Sequence, residues 1–119
     1  MLNLDTHVLL HAIGGRLTPR ETRLLRSSQW SMSGIVLWEI AKLAKLGRIE
    51  LDMESSPVKK VLSSIHVWPI SIEIARAAVD LDVRVDPTDE LIAATSIVHK
   101  LPLVTRDRKL RASSLIPLA

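Results

Sequence analysis

Three features of the chain predict an α/β domain with a mainly parallel central sheet covered by helices on both faces. Short apolar stretches alternate with helical ones along its length. Most helical stretches open on a Ser, Thr or Asp, several with proline next in line. The 119 residues fit one compact domain and leave no room for two.

Leu2-Asn3-Leu4 reads as a short strand, and His7 to Ile13 as an apolar helical turn or two stopped by Gly14-Gly15. Thr18-Pro19-Arg20-Glu21 supplies a capping residue, a proline at the first helical position and an early acid, so a helix begins there. Gln29 to Met32 is a second strand. Ser33 then caps a long apolar helix, Gly34 to Leu46, which Gly47 ends. Ser56-Pro57 opens a helix to about Ile65, His66 to Ile70 is extended, and Ser71 caps Ile72 to Leu81. Asp86-Pro87 starts the helix that runs to about Lys100. Leu103-Val104-Thr105 is a strand, Asp107 to Ala112 a short helix, and Leu115-Ile116 a final edge strand. No repeat, low-complexity run or linker interrupts residues 1–119.

Composition narrows the function. Hydrophobic residues make up 47% and charged residues 24%, the balance of a soluble globular protein rather than a disordered one. Three Trp and no Phe or Tyr leave an aliphatic core and argue against nucleic-acid binding on an aromatic stacking platform. The absence of cysteine excludes disulfides, thiolate metal sites and thiol nucleophiles, and fits a reducing cytoplasm. No apolar run approaches the roughly 18 residues of a membrane span, and the start of the chain lacks the basic region of a signal peptide. The net charge is +3. If four acids serve a metal site, the remaining surface is more basic still, which suits a polyanionic substrate; a merely solvated basic surface explains the number equally well.

Four acids in four separate places carry the chemistry. Asp5 ends the first strand and Asp107 lies just beyond Leu103-Val104-Thr105-Arg106. Ligand sites of open parallel sheets form beyond the carboxyl ends of strands, so the two carboxylates can converge; Asp is also common at strand ends for local turn bonding. Glu39 sits within Ile35-Val36-Leu37-Trp38-Glu39-Ile40-Ala41, a stretch expected to be buried on every side. An acid there needs a partner, either Lys42 one turn on or a bound cation. Asp86 and Asp89 flank Pro87 at a helix start, where capping explains both and ligation from the first turn is the rival role for Asp89. Magnesium and manganese want oxygen ligands, and such a carboxylate set holds one or two of these ions. The ion activates water and steadies phosphate charge without a thiol, a Ser–His pair or a Gly-rich phosphate loop.

In combination these stretches resemble the PIN-domain family, particularly the VapC-type toxins. Leu4-Asp5-Thr6-His7-Val8-Leu9-Leu10 looks like the family's opening strand, first acid and apolar helix. Ser33 to Leu51 is similar to its second block, with Glu39 as the second acid. Asp86-Pro87-Thr88-Asp89-Glu90-Leu91-Ile92-Ala93-Ala94 resembles the third, with Asp89 in the ligand position. Leu101-Pro102-Leu103-Val104-Thr105-Arg106-Asp107 looks like the fourth, with Asp107 as its acid. Four such blocks in order are specific where one alone is weak. The resemblance implies a three-layer α/β/α PIN-like domain, a Mg²⁺ or Mn²⁺ site formed by Asp5, Glu39, Asp89 and Asp107, and hydrolysis of RNA phosphodiester bonds. It further implies a homodimer and a cognate antitoxin that blocks the site. Thr6, Ser33 and Thr105 stand beside the acids and either orient them or serve as caps; Asp86 is an outer acid or a helix cap.

Two positions depart from the family pattern. Glu90 stands where a basic residue often follows the ligand acid, and His11 where Trp is frequent. A rival reading, a phosphotransferase of the haloacid-dehalogenase type with Asp5 as nucleophile, needs a second acid two residues on and meets His7. Another is a degenerate PIN domain used for binding alone, against which the four intact acids speak. His7 and His11, four residues apart, imitate part of a zinc site but lack further ligands. Arg16, Arg20, Arg23 and Arg26 make one helix side basic, as a solvated face or as an RNA-facing stripe.

Overall fold

The computed structural model describes residues 1–119. Its elements are β1 (Leu2–Leu4), α1 (Thr6–Ile13), α2 (Pro19–Arg26), β2 (Trp30–Ser33), α3 (Gly34–Lys45), α4 (Ser56–Ser63), β3 (His66–Trp68), α5 (Ile72–Val79), α6 (Pro87–His99), β4 (Leu103–Val104) and α7 (Arg108–Arg111). The four strands form one sheet in the order β3-β2-β1-β4, and every pair is parallel. The chain crosses from β1 through β2 to β3 in one direction and returns past β1 to β4. Right-handed crossovers in opposite directions put their helices on opposite faces, which gives the three-layer α/β/α arrangement expected from the sequence.

Local chemistry explains most boundaries. Thr18 and Glu21 form a reciprocal capping box at the start of α2, with Pro19 at the first helical position. Ser33 and Ser71 cap α3 and α5 with their side-chain oxygens. Past the end of α3, Gly47 adopts φ +70, a conformation that costs any residue with a Cβ. The core is aliphatic, as composition demands. Leu4, Leu9, Met32, Ile40, Ile92 and Leu103 are fully buried within it, and each such side chain contributes about 1.5–3 kcal/mol.

Asn3 breaks that apolar interior on the central strand. Its amide nitrogen donates to the Ile92 carbonyl at 3.1 Å and the Ser96 hydroxyl at 2.9 Å. Two hydrogen bonds thereby set α6, which carries Asp89, against β1.

Two expectations fail. α3 is not buried all round: Val36 and Ile40 form its buried stripe, while Trp38 is 53% exposed and Lys42 faces solvent. Helical spacing of the two buried residues is enough to anchor one face, and the remaining apolar residues do not need a second. Nor is Leu115-Ile116 the edge strand. The pairing falls at Leu118 opposite Leu103, with the Leu103 amide on the Pro117 carbonyl and the Ala119 amide on Leu103. The Leu115 and Ile116 amides are instead taken by the Ser113 hydroxyl, which turns the chain before the sheet edge is reached.

Candidate active site

The strand order reverses beside β1, between β1 and β4, and at their carboxyl ends such a reversal opens a crevice. Asp5 follows β1 and Asp107 lies three residues beyond β4, so both acids are delivered to that edge. Asp5 also begins α1. One carboxylate oxygen accepts from the Thr6 amide at 2.8 Å and the other from the Thr105 hydroxyl at 2.6 Å. Turn bonding and convergence are therefore both present in this residue. Asp5 is 3% exposed, and burial pushes its carboxyl above the usual range although the Thr105 and Thr6 hydrogen bonds pull it back.

Thr105 links two acids. While its hydroxyl donates to Asp5, its oxygen accepts from the Asp107 amide at 3.0 Å. Asp107 in turn caps α7, one oxygen taking the Lys109 amide at 2.8 Å and the Leu110 amide at 3.3 Å.

Glu39 is half-buried on α3 and does not pair with Lys42. The lysine ammonium lies over the Trp38 ring at 5.8 Å instead. Glu39 accepts a hydrogen bond from the Thr6 hydroxyl and a longer one, 3.4 Å, from Thr88. A tertiary partner one residue after Asp5 displaces the local partner that helical spacing offers.

Asp89 projects from the first turn of α6. No capping box forms there: Asp86 has the backbone conformation of a cap but its side chain makes no cap hydrogen bond. Asp89 is half-buried, and its pKa is raised to about 7 by burial first, then by the charges of Asp5, Glu39, Asp107 and Asp86. The other three predicted acids are thus within electrostatic reach of Asp89. Asp86, Asp89 and Asp107 line a hollow of about 370 Å³ together with Val85, Arg108 and Lys109. A larger hollow of about 430 Å³ lies at the amino ends of the strands, around Met1, Trp30 and His66, and gathers no acid.

No three acids or histidines stand in ligand geometry around one point. Asp5 and Glu39 are turned toward hydroxyl donors of the protein, as just described. Ser33 caps α3 through the Ile35 amide at 3.3 Å. The imagined His7–His11 pair has no third ligand. The basic stripe is broken up: Arg16 precedes α2, and Arg20 donates to the Ala119 carbonyl. Sequence reading missed Thr88, Asn3, and the pair of Glu21 with Arg106. A polar Asn between two leucines in a central strand was the visible signal for Asn3; the others had none.

Comparison with known proteins agrees with this geometry. The PIN domain family model matches residues 3–114. The chain is 35% identical to ribonuclease VapC22 of Mycobacterium tuberculosis, over 92% of this chain and 88% of the relative. Among solved structures it resembles a toxin–antitoxin complex from Klebsiella pneumoniae, with a TM-score of 0.73 and 25% identity over 94% of this chain and 91% of that one. The fold is also that of VapBC2 from Rickettsia felis bound to a DNA fragment from its promoter, at TM-score 0.75 and 18% identity, over 100% and 98% of the two chains. With residues 3–114 matched by the family model and a relative 35% identical over nearly the whole chain, the chain belongs to the PIN domain family.

Proposed function

We propose that this protein is a metal-dependent endoribonuclease, the toxin half of a toxin–antitoxin pair, which hydrolyses RNA phosphodiester bonds with a metal-activated water. The state of Asp89 carries this reading. A half-buried carboxylate pushed to about 7 by burial and by four neighbouring acids gains nothing from its position in the protein alone. A divalent cation among those acids removes the penalty. The donor set is all oxygen, which suits Mg²⁺ or Mn²⁺. Asp5, Glu39, Asp89 and Asp107 would hold the ion directly or through water, since such ions keep part of their hydration. Bound there, the ion would lower the pKa of a water and steady charge on the phosphate.

The remaining work falls to the protein's own groups. Thr105 and Thr6 point hydroxyl protons at Asp5 and Glu39, which fixes both carboxylates as acceptors. Of these carboxylates, one that held the ion only through water would be placed to take a proton from the attacking water. Arg108 and Lys109, on the wall of the acidic hollow, supply positive charge for the RNA backbone. RNA as substrate is supported by the likeness to a named ribonuclease, and an antitoxin partner by the likeness to a toxin–antitoxin complex. Exposed Ile72 and Val79 on α5 and Trp38 on α3 favour protein–protein association, as a homodimer or with the antitoxin. No helix is long and apolar enough to cross a membrane, and we place the protein in the cytoplasm with its substrate.

The test compares Mg²⁺- or Mn²⁺-dependent cleavage of RNA by the parent and by Asp5→Asn. Loss of a ligand is expected to cost at least about 100-fold, beyond what outer-shell changes usually cost. Equal rates would end the assignment.

A further inference from the structure

The residue between Thr105 and Asp107 points away from the crevice. Arg106 sends its guanidinium to Glu21 on α2, with Nε on one carboxylate oxygen at 2.8 Å and Nη2 on the other at 2.6 Å. Nη2 also donates to the Arg16 carbonyl at 3.2 Å. Glu21 is only 7% exposed, and the oxygen that meets Nη2 also takes the Thr18 amide at 2.9 Å. Its carboxyl is held down at about 2, chiefly by the Arg106 hydrogen bonds, so it stays charged throughout the working range. A bidentate Arg–carboxylate pair fixes orientation as well as distance. Here one partner is rooted in a capping box and the other sits between two residues of the site.

We propose that Glu21 and Arg106 form a positioning clamp that fixes the Thr105–Asp107 loop and thereby the carboxylates of Asp107 and Asp5. The clamp acts through the backbone. With Arg106 held, the Thr105 hydroxyl faces Asp5 on one side and receives the Asp107 amide on the other. The carbonyl of Thr105 is steadied from below by Arg111 at 3.3 Å. Asp107 then caps α7 with one oxygen only, which leaves its second oxygen out of the cap at a residue that lines the hollow. Neither Arg106 nor Glu21 lines the acidic hollow. A simple staple for α2 would use the same two side chains without affecting the loop, so the test must read the loop directly. The metal-affinity part of the proposal rests on the nuclease reading; the loop part does not.

The experiment uses Arg106→Ala, Arg106→Lys and Glu21→Gln, each well below its melting temperature. Amide hydrogen exchange at Lys109 and Leu110 reports the Asp107 carboxylate, with core amides of α3 and α6 as controls. Mn²⁺ alone is titrated by calorimetry, and RNA cleavage gives kcat and KM. In Arg106→Ala, exchange at those two amides is expected to quicken at least tenfold while the core amides hold. Mn²⁺ affinity should fall by about 10–100-fold, and kcat should fall with KM little changed, as for outer-shell groups of metal sites. Arg106→Lys should recover part of each loss, and Glu21→Gln combined with Arg106→Ala should be no worse than Arg106→Ala alone. Unchanged exchange at Lys109 and Leu110 in Arg106→Ala overturns the clamp, whatever happens to the melting temperature. If the parent itself binds no Mn²⁺, the nuclease reading falls, and amide exchange alone decides the clamp.

Discussion

Asp5 and Asp89 both stand at the start of a helix beside the same crevice, yet the protein treats them oppositely. Asp5 receives a backbone amide and a buried hydroxyl, and these hydrogen bonds offset part of the cost of burying it. Around Asp89 every influence acts in one direction, and burial and four neighbouring carboxylates all raise its pKa. The first acid is fixed by the fold, and its position does not depend on a ligand. The second is held at a cost to the fold, and that cost is relieved only by positive charge from outside.

Replacing Asp89 breaks this comparison most severely. Asp89→Asn should lose RNA cleavage by about 100-fold or more if Asp89 is a ligand as proposed. The metal-free variant should nevertheless melt higher than the parent, by a few degrees at neutral pH, as about 1 kcal/mol moves a domain of this size by roughly 4 °C. The sign follows from linkage. Folding raises the pKa of Asp89 from the ordinary range, near 4, to about 7, so between those values the native state binds more protons than the unfolded one. Its contribution is fully present below about pH 4 and is lost as pH rises through about 7. After a discount for the solvated part of the side chain, urea melts of the metal-free parent should lose about 1–2 kcal/mol between pH 5 and 8. Asn at this position should flatten that slope, and Mn²⁺ should flatten it in the parent. A slope the variant shares with the parent would show that Asp89 is not the strained group.

Thr105→Val sharpens the other half of the comparison. It removes the hydroxyl that supports Asp5 and accepts the Asp107 amide, with little change in volume. Stability should fall by about 1–3 kcal/mol, the cost of leaving buried polar groups unpaired. Cleavage and Mn²⁺ affinity should fall by about 10–100-fold, less than for loss of Asp5 itself. Thr105→Ser, which keeps the hydroxyl, should recover most of both. Failure of serine to rescue would place the role of Thr105 in its methyl packing and not in its hydrogen bonds.

How much of this was legible depends on the range over which each signal acts. Capping box, proline and glycine act within four residues, so Thr18, Pro19, Ser33 and Gly47 mark their elements in the sequence itself. Asp5 and Asp107 could be placed beyond strand ends because each follows an apolar strand, and Asp89 on the first turn of α6 because Pro87 marks its start. Partners across the fold were not readable. Glu21 and Arg106 are 85 residues apart, and Asn3 reaches Ser96 across 93; no local pattern encodes such a meeting. Asp86 and Asp89 show the converse error, since the local pattern predicted a capping box whose hydrogen bonds the structure does not make. The final edge pairing slid from Leu115-Ile116 to Leu118 because Ser113 captured two amides first.

The smallest effect tests the same point at Glu39. Helical spacing makes Lys42 its obvious counter-charge, three residues on, and such a pair is worth about 0.2–0.5 kcal/mol. In the structure Lys42 lies over Trp38, and Glu39 is served by the hydroxyls of Thr6 and Thr88. Lys42→Ala therefore removes only an exposed cation–π contact, about 0.5–1 kcal/mol at most. Its melting temperature should stay within about 4 °C of the parent's, and metal-dependent cleavage should be unchanged. Glu39 would then owe its tolerance on α3 to threonine hydroxyls and to the ion, and not to a lysine. A tenfold loss of cleavage in Lys42→Ala, measured at saturating Mn²⁺, would return the lysine to the site and make Glu39 a structural acid after all.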